Sequence, residues 1–179
     1  MRISAGILLV VLFAASAALA DPVPVKPDNC DFQLTFPAVP AASQTRTTTD
    51  RGDTVSTDKA DLKLDIAGKT NFFRMECTKV PHMGFIDEAI LTDNMNRLAD
   101  DYKLQAPTVS IDRNKTTGPV GHLHGRAKLG GKDITLDIYR YTGSSNILDV
   151  WTGAEPDVFP TDANTAFLKS LKLNGADLQ

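Results

Sequence analysis

Two adjacent glycines, Gly130 and Gly131, separate two runs in which apolar and polar residues alternate. A Gly-Gly pair accepts the positive φ angles of a two-residue hairpin turn, so the runs are expected to fold back as antiparallel strands with Leu129 opposite Lys132. That single pairing sets all the others. Ala127 then faces Ile134, Gly125 faces Leu136 and Leu123 faces Ile138 on one side of the ribbon. On the other side Lys128 faces Asp133, Arg126 faces Thr135, His124 faces Asp137 and His122 faces Tyr139. Apolar meets apolar and charge meets countercharge, which is the unit of sheet stabilisation. A slip by one residue would mix the two faces, so the chain is committed here to half-buried antiparallel sheet.

Much of the remaining sequence repeats the strand pattern. Asp31-Phe32-Gln33-Leu34-Thr35-Phe36 alternates with period two and stops at Pro37 and Pro40, which reads as a half-buried strand followed by a turn. Residues 45–49 and 54–57 are rich in β-formers on either side of Asp50-Arg51-Gly52-Asp53, which predicts a hairpin. Leu62, Leu64 and Ile66 alternate as a further strand. Residues 71–80 form another, closed by Pro81, and residues 147–152, with the single tryptophan Trp151, supply one more.

Two stretches have helical spacing. Leu91, Met95, Leu98 and Tyr102 recur at intervals of four, three and four, which predicts one long helix over residues 86–102 with these four on its buried stripe. Asp87 and Glu88 suit its positive N-terminal end, and Pro107 marks a boundary beyond its C-terminal end. A short helix is expected after Pro160, capped by Thr161 or Asp162 and burying Phe167, Leu168 and Leu171. The fold class that follows is α+β: an antiparallel sheet packed by one long helix and a short C-terminal helix.

Residues 1–20 have the plan of a secretory signal peptide, with Arg2 as the positive start, an apolar run from Ala5 to Phe13 and the small-x-small site Ala18-Leu19-Ala20. Cleavage is expected after Ala20, which assigns the mature protein to the periplasm or the medium. The apolar run is shorter than the roughly 20 residues a membrane-spanning helix needs, and no later stretch approaches that length. Removing Arg2 leaves the remaining basic residues, one fewer than the 19 of the full chain, outnumbered by 22 acidic ones. Neither a basic stripe for nucleic acid nor a polybasic membrane anchor is present. The segment 21–29 holds Pro22, Pro24 and Pro27 without apolar periodicity and is read as a flexible lead into a single domain over residues 30–174, with 175–179 as a tail.

Export also decides the chemistry of Cys30 and Cys77, the only cysteines. In an oxidising compartment an even pair is expected to be bridged, which would bring the first strand close to the strand over residues 71–80. The loop closed is about 46 residues, for which chain entropy alone supplies on the order of 4 kcal/mol. The alternative is two buried thiols. A lipid anchor on Cys30 is rejected because Pro27-Asp28-Asn29 lacks the leucine and small residues of lipoprotein processing.

One cluster has the composition of a site. Residues two apart on a strand point to the same side, so His122 and His124 can both approach one metal ion. Asp137 would then be a third ligand or the group that orients His124. Tyr139 and Arg126 share that face as candidate binding residues, and His82 is a distant candidate partner. The alternative is an exposed polar sheet face with a mild His/Asp pair. Arg51-Gly52-Asp53 spells an adhesion tripeptide but reads as an ordinary turn, Asn114-Lys115-Thr116 matches a glycosylation acceptor that a bacterial-style leader makes idle, and Asp87-Glu88 and Asp100-Asp101 are solvated helix charges. No Gly-x-Ser-x-Gly elbow, Ser-x-x-Lys, His-Glu-x-x-His or phosphate-cradling glycine loop occurs, and no cofactor is called for.

The order of motifs resembles a known group. Phe32-x-x-x-Phe36-Pro37-x-x-Pro40 opens the domain, a long helix with Asn94 to Leu98 follows, Val120-Gly121-His122-Leu123-His124-Gly125 opens a hairpin, and Phe167-Leu168-Lys169-Ser170-Leu171 closes the chain. This resembles the exported small domains of the PsbP-like and DcrB-like families, over Asp31 to Leu173. The resemblance implies an α/β sandwich with binding or assembly roles and no shared catalytic set. The cysteine pair and the missing lipoprotein signal set this chain apart from that group. The expectation is therefore a non-enzymatic binding or assembly domain that contacts a protein or an envelope component, with a metal- or small-ligand-binding protein as the rival reading. Nothing in the sequence names the partner or sets the oligomeric state.

Overall fold

The computed structural model describes residues 21–114 and 118–178. The leader expected over residues 1–20 lies outside them, as do Lys115 and Thr116 of the acceptor triplet. Strand β1 is Val23–Val25, β2 Phe32–Phe36, β3 Ala41–Thr48, β4 Thr54–Ile66 and β5 Lys69–Lys79. Helix α1 is Glu88–Asp101. Strands β6 Gln105–Asn114, β7 Gly118–Leu129, β8 Lys132–Thr142 and β9 Asn146–Ala154 follow, then helix α2 Asp162–Lys169 and the short strands β10 Lys172–Leu173 and β11 Ala176–Asp177. All pairings are antiparallel, in a seven-stranded sheet ordered β3-β4-β5-β9-β8-β7-β6 and a small sheet ordered β1-β2-β10-β11. The α+β class expected from the sequence is the class observed.

Alternation along the strands sorts the core into two layers, because successive side chains leave opposite faces. On one face α1 lays Leu91, Met95 and Ala99 over Leu123, Ile134, Leu136, Ile138 and Trp151. The other face carries Phe73, Met75, Cys77, Leu148 and Val150, covered by the small sheet through Phe32, Leu34 and Phe36 and by α2 through Phe167. Phe167 meets both Phe36 and Phe73 edge-on, at ring-centroid distances of 4.8 and 5.3 Å. Edge-to-face pairing of this kind adds about 0.5–1.5 kcal/mol to the burial of the rings. The bridge between Cys30 and Cys77, with Cα atoms 6.1 Å apart, ties the lead of β2 to the C-terminal part of β5 and so fastens the small sheet to the large one.

The β7–β8 register agrees pair for pair with the expectation from Gly130-Gly131, whose φ angles are 60° and 82°. The β3–β4 hairpin turns at residues 49–53, with Gly52 at φ 84° donating its amide to Thr49 O at 2.9 Å, so Arg51-Gly52-Asp53 is a turn. Helix α1 is capped by Asp87, whose side chain accepts from Ile90 N. Its buried stripe runs Leu91, Met95, Ala99; Leu98 is only half-buried, and Tyr102, the C-cap, is 42 % exposed. Thr161 caps α2 in a reciprocal box with Asn164, and Phe167 and Leu171 are buried as expected, with Leu168 partly so.

Three expectations are corrected. Residues 62–66 are not a separate strand but the end of the 13-residue β4, because Leu62, Leu64 and Ile66 continue the alternation begun at Thr54. Pro107 lies beyond the end of α1, as expected, inside the edge strand β6 at an irregularity between Gln105 and Thr108 where Ala106 takes φ 47°, the setting in which a residue without an N–H is tolerated. The segment 21–29 is not wholly flexible, since Val23–Val25 pairs with β2 and Val25 packs on the core, with Pro24 on an outer edge. The tail 175–179 likewise holds β11 and the buried Leu178, so ordered structure extends beyond residues 30–174 at both ends. Among the described residues no helix is long and apolar enough to cross a membrane.

Candidate functional site

The face shared by His122, His124, Asp137 and Tyr139 is the α2 side of the sheet; Asp137 and Tyr139 lie against α2, and His124 and Arg126 are exposed beyond it. Helix α2 is pinned over the centre of the sheet. Asn164 Nδ2 donates to Thr152 Oγ1 at 2.7 Å and to Gly153 O at 3.3 Å, and Thr161 Oγ1 donates to Asn71 Oδ1 at 2.8 Å. Strands β7 and β8 therefore present polar side chains to an open surface beside a helix.

Cross-strand pairing brings the trio together. His122 Nε2 lies 3.0 Å and His124 Nδ1 2.8 Å from the same atom, Asp137 Oδ1. Burial pulls the Asp137 carboxyl upward, but the hydrogen bonds from His122 and His124 outweigh it and hold the group below the usual carboxylate range. An ionised carboxylate only accepts, so both ring nitrogens facing it carry protons. His122 Nδ1 and His124 Nε2 are then the nitrogens left for other partners. Asp137 acts as the orienting group for both rings, as carboxylates do behind ligand histidines. Its use as a third ligand is not what this geometry favours: among the described residues no group of three or more His, Cys, Asp or Glu is arranged to hold a metal ion. His82, exposed at φ 53° between β5 and α1, does not complete one.

Aromatic packing stiffens the site. The His122 ring lies parallel to Tyr139, 1° between planes with centroids 4.3 Å apart, and Tyr139 leads on to Tyr141 at 6.4 Å. The Tyr139 hydroxyl is pushed up to about 12, first by burial and then by Asp137 and Asp112, so it stays a neutral phenol. His124 faces Phe159 at 6.3 Å. Exposure falls from His124 (46 % of its side chain) through His122 (25 %) to Asp137 (17 %), so the anion is the deepest of the three. Arg126 continues the same face, exposed, opposite Thr135.

Asp137 and Tyr139 also line one wall of a cavity of about 240 Å³, whose other wall is Phe159, Asn164 and Leu168 from α2 and the chain before it. That second wall was not anticipated. Nothing in the sequence singled out Asn164, and no spacing rule brings a helix beginning at residue 162 over a strand ending at residue 142. The remaining sequence candidates are structural: Asp87 caps α1 and Glu88 pairs with Arg113 at 2.7 Å. Among the described residues no cysteine is free. Compared with known proteins, the chain matches no family model and no curated relative.

Proposed function

We propose that this is an exported, non-enzymatic binding or assembly domain that engages a protein or an envelope component through the open β7–β8 face and the cleft beside α2. The observation that carries the reading is the placement of a hydrogen-bonded His122–Asp137–His124 cluster at the border of the α2 layer, with Asp137 against α2 and His124 exposed. The order of strand, long helix, hairpin and closing helix supports placing the chain with the PsbP-like and DcrB-like domains, and the Cys30–Cys77 bridge supports an oxidising location. The test is crosslinking of the mature protein in the envelope, comparing wild type with the double variant H122A/H124A and with R97A, an exposed α1 control. Loss of one defined adduct in the histidine variant alone supports the reading. Substrate turnover by purified protein, abolished by a point mutation, overturns it.

A second reading is a metal- or small-ligand-binding protein in which His122 and His124, oriented by Asp137, supply ring nitrogens to zinc or copper. Calorimetric titration of either ion into mature protein decides it. Affinity unchanged in H122A/H124A sinks the metal site.

A further inference from the structure

Strand β3, at the border of the large sheet farthest from β6 and β7, buries nothing. All eight of its residues are exposed, on both faces, yet they pair with β4 in unbroken register from Ala41 opposite Asp61 to Thr48 opposite Thr54. Ordering a residue costs about 1–2 kcal/mol of backbone entropy, which a border strand ordinarily recovers by packing one face on the core. The free edge of β3 is also open. At the turn Thr49 N donates to Asp53 O at 2.8 Å, and bonded pairs recur at every second residue of an antiparallel ladder, so Thr47, Thr45 and Ser43 turn their amides towards β4. Ala42, Gln44, Arg46 and Thr48 turn theirs away from the sheet. Such edges are commonly guarded by proline, lysine or a bulge. The opposite border is guarded in this way, since β6 carries Pro107 and breaks register between Gln105 and Thr108. Strand β3 has none of these devices and is rich in threonine, a good strand former.

Charge selects what fits this edge. Arg46 is the one charged residue of β3, and its guanidinium has no ion pair among the described residues. Asp58, its diagonal neighbour on β4, accepts from Gln44 Nε2 at 2.6 Å and likewise has no ion pair among them. Gln44 and Asp58 open on a cavity of about 350 Å³. The other charges of its lining are balanced, Lys26 by Asp28 and Lys59 by its own partners Asp61 and Glu76, so Asp58 is the carboxylate left over. A second copy laid antiparallel along the edge, with Thr45 on the twofold axis, brings outward amides to outward carbonyls over residues 42–48 of both chains. Arg46 of each copy then falls opposite Gln44 of the other and on the same face as that copy's Asp58, about 10 Å away between Cα atoms, or two strand spacings. An arginine reaching over Gln44 closes that gap, and the symmetry makes the pair twice. A register centred on Arg46 would instead set the two arginines against each other.

We propose that β3 is a dimerisation edge: two copies of this chain join β3 to β3 about Thr45, with Arg46 of each paired to Asp58 of the other, so that one sheet runs through both. The surface is remote from the β7–β8 face, and the proposal does not rest on the function assigned to that face. Sedimentation equilibrium of the mature protein tests it. A polar edge contact without an apolar core is expected to give a reversible dimer with a dissociation constant on the order of 100 μM. R46D sets like charges against each other and is expected to weaken the dimer about tenfold or more, while the exchange R46D/D58R restores it. Q44P removes only an outward amide, so it should abolish the dimer and leave the β3–β4 ladder in place. Should Q44P fail to fold by circular dichroism, the charge exchange decides alone. The mass of a single chain at every concentration up to about 1 mM overturns the proposal. So does a dimer that R46D leaves unchanged, or one that R46D weakens and R46D/D58R does not restore.

Discussion

Asp137 receives two hydrogen bonds on one oxygen, and this makes it the residue on which the polar face turns. Its carboxyl sits below the ordinary range in the folded protein, so the stability it contributes is present above the unfolded value, about 3.9, and is lost as pH falls through the folded value. D137N is therefore expected to cost about 1–3 kcal/mol at pH 7. In urea melts the gap from wild type should shrink at pH 3; a gap of the same size at both values would refute the charged role. The tyrosines give an opposite sign. Tyr139 is raised to about 12, and Tyr102 and Tyr141 are also raised, in all three cases first by burial. Groups whose folded values are raised stabilise below the unfolded value, about 10, and lose that contribution as pH rises through the folded one. Absorbance at 295 nm should show the tyrosinate step displaced upward in native protein relative to the step near pH 10 in urea. Of the site itself, the His122, His124, Asp137 and Tyr139 pairings were legible because one turn fixes one register. The stacking of His122 on Tyr139 and the approach of Phe159 were not, because they depend on side-chain rotation and on a loop that is remote in sequence.

At the scale of elements, two glycines on the α1 side of the sheet distinguish rigid packing from adaptable packing. A Cβ on Gly153 in β9 would lie 2.5 Å from Leu136 Cδ2 and 2.7 Å from the carbonyl oxygen of Thr135, and the backbone of β8 cannot yield. A Cβ on Gly121 in β7 meets only Met95 and Leu91 side chains, the nearest atom at 2.8 Å, and a methionine adapts. G153A should cost about 1–3 kcal/mol in urea unfolding, and G121A clearly less. Equal costs would mean that the α1 layer is as unyielding as the sheet. The elements announced by local chemistry were the ones legible beforehand: hairpins by their glycine turns, helices by caps and 3.6-residue spacing. Strand β6 was obscured because Leu104 is followed at once by an irregular start through Ala106 and Pro107. Strand β1 was obscured because a three-residue strand containing Pro24 has no periodicity to read; only its pairing with β2 makes it a strand.

At the scale of the molecule, the small sheet is the piece that most needs fastening, since its strands are two to five residues long. Burial of Phe32, Leu34 and Phe36 holds it from below, and the Cys30–Cys77 bridge, spanning 47 positions of sequence, holds it covalently. Reduction, or the pair C30A/C77A, is expected to lower stability by on the order of 4 kcal/mol. Urea midpoints with and without reductant measure this, and a loss under about 1 kcal/mol would mean that packing alone suffices. This sheet also holds both ends of the described chain. Strands β1 and β11 are its two borders, with β2 and β10 between them. At about 4.8 Å per strand the borders stand roughly 14 Å apart, and with Val23 level with Phe36 and Asp177 level with Gln33 the ends are offset along the strands, a gap that about six extended residues can span. The backbone is thus nearly a closed ring: a short linker could join the ends, and the exposed Arg51–Gly52 turn could become the new start, with every strand pairing in both sheets retained.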